Sequence, residues 1–278
     1  MKLRPVEGLR ITILVDNYID VLLPSTERVK RAPLIQEEQM APNPIAEHGL
    51  SLLFEVQGER FIMDFGLSSF GLLYNMETLG VDLQGISFGV LSHGHHDHNG
   101  GLLPFLERVK GEFPLYLHED VFLPVRFITF PSGERVFFPK NQREKWEEKG
   151  AKIRLVKGPE MLLEGRCLLS GEIPRRTDFE RGLPGAFCER DGEVLGDEIR
   201  DDMALYFHVE GKGLVVVSGC AHSGIINSIL YGMETTGIER LYAVLGGFHL
   251  IGPGMEEVMP KTISQLKEFS PDLVCPMH

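Results

Sequence analysis

Four potential metal ligands fall within six residues of this sequence: His93, His95, Asp97 and His98. They directly follow an apolar run over 86–91, which predicts a short buried strand. Imidazole nitrogens with one carboxylate suit zinc, and also iron or manganese. Because a catalytic ion keeps an open position, four ligands are too many for one ion. The pattern therefore predicts two ions, one on the first two histidines and one on the other pair. A histidine-rich surface turn or a single structural zinc is the alternative.

Each predicted ion needs at least one more protein ligand. His222 and His278 are the candidates, because each follows a predicted buried strand and is flanked by small or turn residues. Cys220, two residues before His222, offers either a thiolate ligand or a small side chain that only packs. His249 follows another strand end, where it would donate a proton to a leaving group or support the metal site.

Two divalent ions about 3.5–4 Å apart hold a bridging water that ionises near neutral pH. The resulting hydroxide attacks an ester-like carbon or phosphorus. Asp97 would hold one ion and accept a hydrogen bond from the nucleophile, which makes Asp97 and His249 the candidate catalytic residues. Arg175 and Arg176, next to Glu172, are candidates for binding an anionic group such as a phosphate, although a solvated charged loop has the same composition.

Composition narrows the class of protein. The chain has 278 residues, 43% hydrophobic and 24% charged, as soluble globular proteins do. Its net charge of −12 argues against a general nucleic-acid-binding surface and leaves a small anionic molecule as the expected partner. Four cysteines without a C-x-x-C pair favour reduced thiols in the cytoplasm. No apolar stretch is long enough for a membrane span, and the N-terminus does not support a signal peptide.

Hydrophobic periodicity predicts alternating strands and helices. The predicted strands cover 11–15, 50–56, 61–65, 86–91, 114–117, 153–156, 167–170, 203–209, 214–218, 241–245 and 273–275. The predicted helices cover 67–79, 102–109, 141–149, 225–235 and 256–269. Two long segments, 20–48 and 172–202, have no clear period and are expected to be irregular loops.

One unit occurs twice: a buried strand, a glycine-containing turn with a histidine, then a helix, around His93 and again around His222. Ligands in α/β proteins lie at the carboxyl ends of strands. Two mixed sheets with helices on their outer faces would place these turns together. The expected fold is therefore α/β, an αββα four-layer sandwich formed as a single domain over 1–278 with two pseudo-repeated halves.

The motif Ser92-His93-Gly-His-His-Asp-His98, followed by Asn99-Gly-Gly101, resembles the metal signature of the metallo-β-lactamase superfamily. Further stretches are similar to the subgroup labelled dihydropterin-methyl-(ribofuranosyl)aminobenzene 5′-phosphate synthase; they lie at 46–51, 171–175, 179–180, 201–202, 204–205, 219–225, 246–250 and 276–278. The resemblance implies the αββα fold and a set of metal ligands, which are His93, His95, Asp97, His98, His222 and His278. It also implies that Asp64 supports the metal loop.

The chain departs from the superfamily pattern in three ways. Cys220 follows Ser218-Gly219, where most members have a bridging aspartate. The histidine that usually precedes this strand has no counterpart between His118 and His208, so His222 would replace it. Relatives usually continue past the position of His278 with a short tail.

These features predict a metal-dependent hydrolase that uses a metal-bridged hydroxide on a small anionic, phosphorylated substrate, with a pterin-related compound as one option. The expected cofactors are two divalent ions, with zinc favoured over iron or manganese. The alternatives are a thioesterase or lactonase of the same fold, or a metal- or metabolite-binding module without activity.

Overall fold

The computed structural model describes residues 1–252 and 254–278. Eighteen strands occur in this part of the chain: β1 (Arg10–Val15), β2 (Ile35–Gln36), β3 (Gln39–Met40), β4 (Ser51–Val56), β5 (Glu59–Met63), β6 (Ile86–Val90), β7 (Phe113–Leu117), β8 (Arg126–Thr129), β9 (Arg135–Phe137), β10 (Ala151–Leu155), β11 (Glu160–Leu162), β12 (Cys167–Leu169), β13 (Ala186–Arg190), β14 (Glu193–Gly196), β15 (Ala204–Val209), β16 (Gly213–Ser218), β17 (Leu241–Gly247) and β18 (Leu273–Met277).

Six α-helices accompany them: α1 (Gly71–Thr78), α2 (His96–Asn99), α3 (Leu102–Val109), α4 (Arg143–Glu148), α5 (Ile225–Thr236) and α6 (Val258–Phe269). In α3, Leu102, Phe105 and Leu106 are buried, which is the spacing of one helix face packed on a sheet. Among the described residues, no helix combines the length and apolar character that a membrane crossing requires.

Two six-stranded mixed sheets form the centre of the molecule. The first has the order β1-β4-β5-β6-β7-β10 and the second the order β11-β12-β15-β16-β17-β18. In both sheets the strands pair antiparallel at one end of the order and parallel at the other. All six residues of β16 are buried, because both faces of its sheet are covered.

Three hydrophobic clusters separate four layers. The central cluster lies between the sheets, where the Phe54 ring stacks on Phe207 of the other sheet at 5.7 Å. A second cluster joins the outer face of the first sheet to α1, α3 and α4, and includes Phe105 and Trp146. A third joins the outer face of the second sheet to α5 through residues such as Ile226. The predicted αββα sandwich is confirmed.

The segment 172–202 is not an irregular loop throughout, so that prediction was wrong. It contains β13 and β14, which form a further sheet of order β14-β13-β8-β9. β13 pairs with β8, which lies far away in the sequence, so local periodicity gives little sign of it. The other long segment, 20–48, contains only the short hairpin of β2 and β3.

Chemistry-bearing residues follow the carboxyl ends of five strands. Asp64 follows β5, His93 follows β6, His222 comes after β16, and His249 and His278 come after β17 and β18. Within each sheet these strands run parallel, so their carboxyl ends share one edge. The sandwich brings the two edges together. As a result, the ring centroids of His93 and His222, one from each sheet, lie 4.8 Å apart.

Candidate metal centre

The first cluster consists of His93, His95 and His222, all buried. One ring nitrogen of each lies within 4.8 Å of the others. The ring centroids are 4.5 Å apart for His93 and His95, and 4.7 Å apart for His95 and His222. One half of the molecule therefore supplies two imidazoles and the other half supplies the third.

The second cluster consists of Asp97, His98 and His278. The Nε2 atoms of His98 and His278 are 3.1 Å apart, and His278 Nε2 lies 3.1 Å from Asp97 Oδ2. His98 Nε2 lies 3.8 Å from the same carboxylate oxygen. The two clusters are adjacent, since the rings of His93 and His98 have centroids 4.3 Å apart. The structure thus brings together all six residues that the sequence predicts as ligands.

Both clusters have the features of a divalent metal site. In the described part of the chain, Nε2 of His93, Nε2 of His95 and both ring nitrogens of His222 are buried without a hydrogen-bond partner. Buried polar atoms are rarely left unpaired, which indicates that a ligand belongs there. In the second cluster, the separations of 3.1, 3.1 and 3.8 Å are close to the roughly 3.3 Å between ligand atoms around a tetrahedral ion with bonds of about 2.0–2.1 Å.

Electrostatics favour the metal-binding protonation state of the first cluster. Burial, followed by the charge of neighbouring groups, lowers the pKa of His95 to about 3. Burial and the neighbouring histidines also hold the pKa values of His93 and His222 well below the usual range. All three imidazoles are therefore neutral at physiological pH, which is the form that binds a metal.

The second cluster combines an ionised carboxylate with a more basic imidazole. Burial alone would raise the pKa of Asp97, but His98, His278 and His95 outweigh it and lower that pKa. Burial alone would lower the pKa of His98, but the carboxylates of Asp64 and Asp97 outweigh it and raise that pKa.

Asp64 and Ser92 orient two of the histidines. Asp64 has a left-handed backbone (φ 62°), and its carboxylate accepts hydrogen bonds from Ser92 N, Ser92 Oγ and His98 Nδ1, each 2.7 Å long. Because the Ser92 hydroxyl donates to Asp64, its oxygen is free to accept from Nδ1 of His93, 2.9 Å away. Both rings then direct an unprotonated Nε2 into the clusters. The implied support of the metal loop by Asp64 has a geometric basis.

His278 is oriented by the polar pair that follows β1. Its backbone N–H donates to Asp16 Oδ1 at 2.8 Å, and its Nδ1 lies 3.1 Å from Asn17 Oδ1. Asn17 Oδ1 also accepts from Gly49 N at 3.0 Å. His48, beside that glycine, lies with its Nε2 3.4 Å from Asp97 Oδ2.

Asp201 and Asp202 connect the metal loops of the two halves. Asp201 accepts from Gly94 N at 2.7 Å and from Arg126 Nη1 at 2.8 Å, which fixes the loop between the first two histidines. Asp202 accepts from Ser223 N at 2.9 Å, which fixes the loop that carries His222. Sequence reasoning assigned this acidic pair no role, although its resemblance to the subgroup pointed to the same two positions.

Cys220 lies between the clusters. Its sulfur lies within 4.8 Å of ring nitrogens of His93 and His98, and also of His222 and His249. Its distance to His249 Nδ1 is 3.6 Å. Burial, with smaller contributions from nearby carboxylates, raises the pKa of the thiol well above its usual value. Cys220 therefore lies beside histidines of both clusters, and metal binding by its sulfur stays a prediction. Burial and His278 lower the pKa of His249.

The three predicted substrate-binding residues are paired with groups outside the two clusters. Arg175 donates to the backbone carbonyl of Glu198, Arg176 forms an ion pair with Glu234, and the Glu172 carboxylate lies 4.0 Å from Arg200 Nε.

A cavity of about 300 Å³ instead opens beside the first cluster, where His222 and His249 form part of its wall. Two cations on that wall, Arg181 and Lys261, received no role from the sequence.

An αββα sandwich with paired histidine-rich clusters at the strand ends is the architecture of a metal-binding protein. No protein-family model matches the chain. It is 33% identical over 241 residues to the 7,8-dihydropterin-6-methyl-4-(β-D-ribofuranosyl)-aminobenzene-5′-phosphate synthase of Methanocaldococcus jannaschii, which covers 84% of this chain and 81% of that protein. It is 32% identical over 207 residues to an uncharacterized protein of the same organism, with 74% of each chain covered.

The crystal structure of a metal-dependent hydrolase of the β-lactamase superfamily matches with a TM-score of 0.71 and 25% identity, over 98% of this chain and 88% of that one. The chain belongs to the metallo-β-lactamase superfamily, in the group that contains the synthase.

Proposed function

We propose that this chain is a binuclear metal-dependent hydrolase acting on a small anionic, phosphorylated molecule. The observation that carries the proposal is the pair of adjacent clusters, together with the buried ring nitrogens of the first cluster, which have no partner among the described residues. His93, His95 and His222 would hold one ion, and Asp97, His98 and His278 the other. The nitrogen-rich donor set favours zinc, with iron or manganese as alternatives.

Bound divalent ions would supply Lewis acidity and a nucleophile at neutral pH. The chain's own residues supply the geometry. Asp97 is ionised and only partly covered, with 19% of its side chain exposed, so it can also accept a hydrogen bond from the attacking group. His249 reaches both the first cluster and the cavity wall, where it would donate a proton or a hydrogen bond to a leaving group.

The proposed substrate class rests on one relative. The name of the synthase relative describes a compound with a 5′-phosphate, which supports a phosphorylated substrate. On the cavity wall, Arg181 and Lys261 are the two cations that could bind such a group, beside the acidic residues Asp178, Glu180 and Glu257. Substrate binding by Glu172, Arg175 and Arg176 stays a prediction. To contact substrate, these side chains would have to leave their present partners.

The test is a hydrolysis screen on protein purified without chelator. Phosphomonoesters and phosphodiesters are assayed beside thioesters and lactones, with Asp97→Asn as the test variant and Asp20→Asn as a carboxylate control on the surface. We expect phosphoester hydrolysis that a chelator removes and that falls at least about 100-fold in Asp97→Asn, while the control retains it. Hydrolysis of only thioesters or lactones would show that these, rather than phosphoesters, are the substrate class. Background rates on every substrate by a folded, metal-loaded protein would indicate a binding module.

A further inference from the structure

His48 is an exposed imidazole beside the second cluster. Its side chain is 67% exposed, and its Nε2 lies 3.4 Å from Asp97 Oδ2. The rings of His48 and His278 have centroids 4.9 Å apart. Ligand atoms of His48, Asp97 and His278 all lie within 4.8 Å of one another, as ligands of one ion would.

The backbone around His48 is held firmly despite the exposure of the ring. Glu47 Oε1 accepts from the backbone amides of Leu67 and Ser68 at 2.9 and 3.1 Å. Gly49 N donates to Asn17 Oδ1, and Leu50 N donates to the carbonyl of Asp97 at 3.3 Å. The position of His48 relative to Asp97 is therefore set by neighbours on both sides in the sequence.

The contacts of the ring itself do not account for this placement. The separation of 3.4 Å from Asp97 is longer than a normal N–H···O bond, and Nδ1 lies 3.5 Å from Asn17 Nδ2, at the limit of hydrogen bonding. By contrast, 3.4 Å is close to the roughly 3.3 Å between two ligand atoms of one tetrahedral ion. The geometry suits two atoms that share a metal better than two atoms bonded to each other.

We propose that His48 is a fourth protein ligand of the second ion, added to Asp97, His98 and His278. This inference rests on the proposed binuclear function and deepens it. Four protein ligands fill a tetrahedral ion, whereas three leave a position open. The first cluster offers three histidines and adjoins the cavity through His222, and no member of the second cluster lines that cavity. The substrate would therefore approach from the side of the first cluster, and His48 would give the second cluster one more protein ligand than the first.

The test measures metal binding rather than turnover. Zinc affinity is determined by competition with a chromophoric chelator for the wild-type protein, His48→Ala and His48→Gln. His208→Ala, a partly exposed histidine on β15, controls for the general loss of an imidazole. Separately, ¹¹³Cd is added to protein labelled with ¹⁵N-histidine, and coupling between cadmium and the His48 ring is sought.

We expect His48→Ala to weaken the second equivalent of zinc at least about tenfold, with the first unchanged, and His48→Gln to do the same. Cadmium coupling to the His48 ring would confirm ligation directly. Wild-type affinity in His48→Ala overturns the inference, and so does full rescue by His48→Gln, which keeps an N–H donor but no imidazole. Saturation of the wild-type protein at one equivalent would contradict the binuclear function itself, along with this inference.

Discussion

Asp64 accepts three buried hydrogen bonds, so its replacement by asparagine should weaken both the fold and metal binding. Asp64→Asn keeps the size of the side chain but replaces one oxygen by an NH₂ group. The carboxylate accepts from Ser92 N on one oxygen, and from Ser92 Oγ and His98 Nδ1 on the other, all at 2.7 Å in the interior. As long as His98 keeps its proton on Nδ1, at least one buried donor faces another donor whichever way the amide is oriented.

One buried donor without a partner costs about 1–3 kcal/mol, so urea unfolding should show a loss of that size. The orientation of His98 is also lost, and substitutions of groups that orient metal ligands weaken metal binding about 10- to 100-fold. We therefore expect the second equivalent of zinc to bind about 10- to 100-fold more weakly in a competition titration.

The matched control is Asp272→Asn, which removes a carboxylate that pairs with Arg240 at the surface. It should leave both zinc affinities unchanged. Zinc affinities within about twofold of wild type in a folded Asp64→Asn protein would refute the claim that Asp64 orients the second cluster.

Three further predictions concern pH and packing. As pH falls from about 7 to about 5, the second cluster should release its ion before the first. Burial lowers the pKa values of the three histidines in the first cluster, so they stay unprotonated over this range. In the second cluster, the carboxylates beside His98 raise its pKa despite burial. The measurement is the metal content after desalting at each pH. Burial raises the pKa of Asp202 from 3.8 to about 6. The wild type should therefore lose about 3 kcal/mol relative to Asp202→Asn as pH rises from about 3 to about 7, measured by urea unfolding. A Cβ at Gly219 would overlap the Ser92 side chain, so Gly219→Ala should lower the free energy of unfolding by about 1–3 kcal/mol, whereas Gly196→Ala, where space is open, should not.

Simultaneous release of both ions, or earlier release from the first cluster, would contradict the order of release. A stability difference between wild type and Asp202→Asn that is constant with pH would show that this carboxyl titrates alike in the folded and unfolded protein. Equal thermal stability of the Gly219→Ala and Gly196→Ala variants would contradict the packing argument.

Local patterns were sufficient for the layers of the fold. Apolar runs mark the buried strands such as β16, and apolar residues at helical spacing mark α3 and α5. The sheet of β8, β9, β13 and β14 was not predicted because its strands are short and its two hairpins pair with each other across a large sequence separation. All four residues of β14 are exposed, so no alternation of apolar and polar residues marks it.

The same distinction applies to the metal centre. His93, His95, Asp97 and His98 are adjacent in sequence, and their spacing alone indicates metal binding. The residues that orient them come from elsewhere: Asp64 follows a different strand, and Asp201 lies on a segment without helix or strand that precedes β15. Only the folded chain shows these contacts, because hydrogen bonds between remote residues leave no periodic signal. The proposed role of His48 depends on the same kind of contact.

Metal content per chain tests the central claim most directly. Elemental analysis is performed on protein purified without chelator or nickel affinity resin, for the wild type and for His98→Ala. We expect two equivalents of divalent metal in the wild type and one in the variant, since only the second cluster contains His98. One equivalent or none in the wild type, unchanged by His98→Ala and by added zinc, manganese or iron, would contradict this expectation.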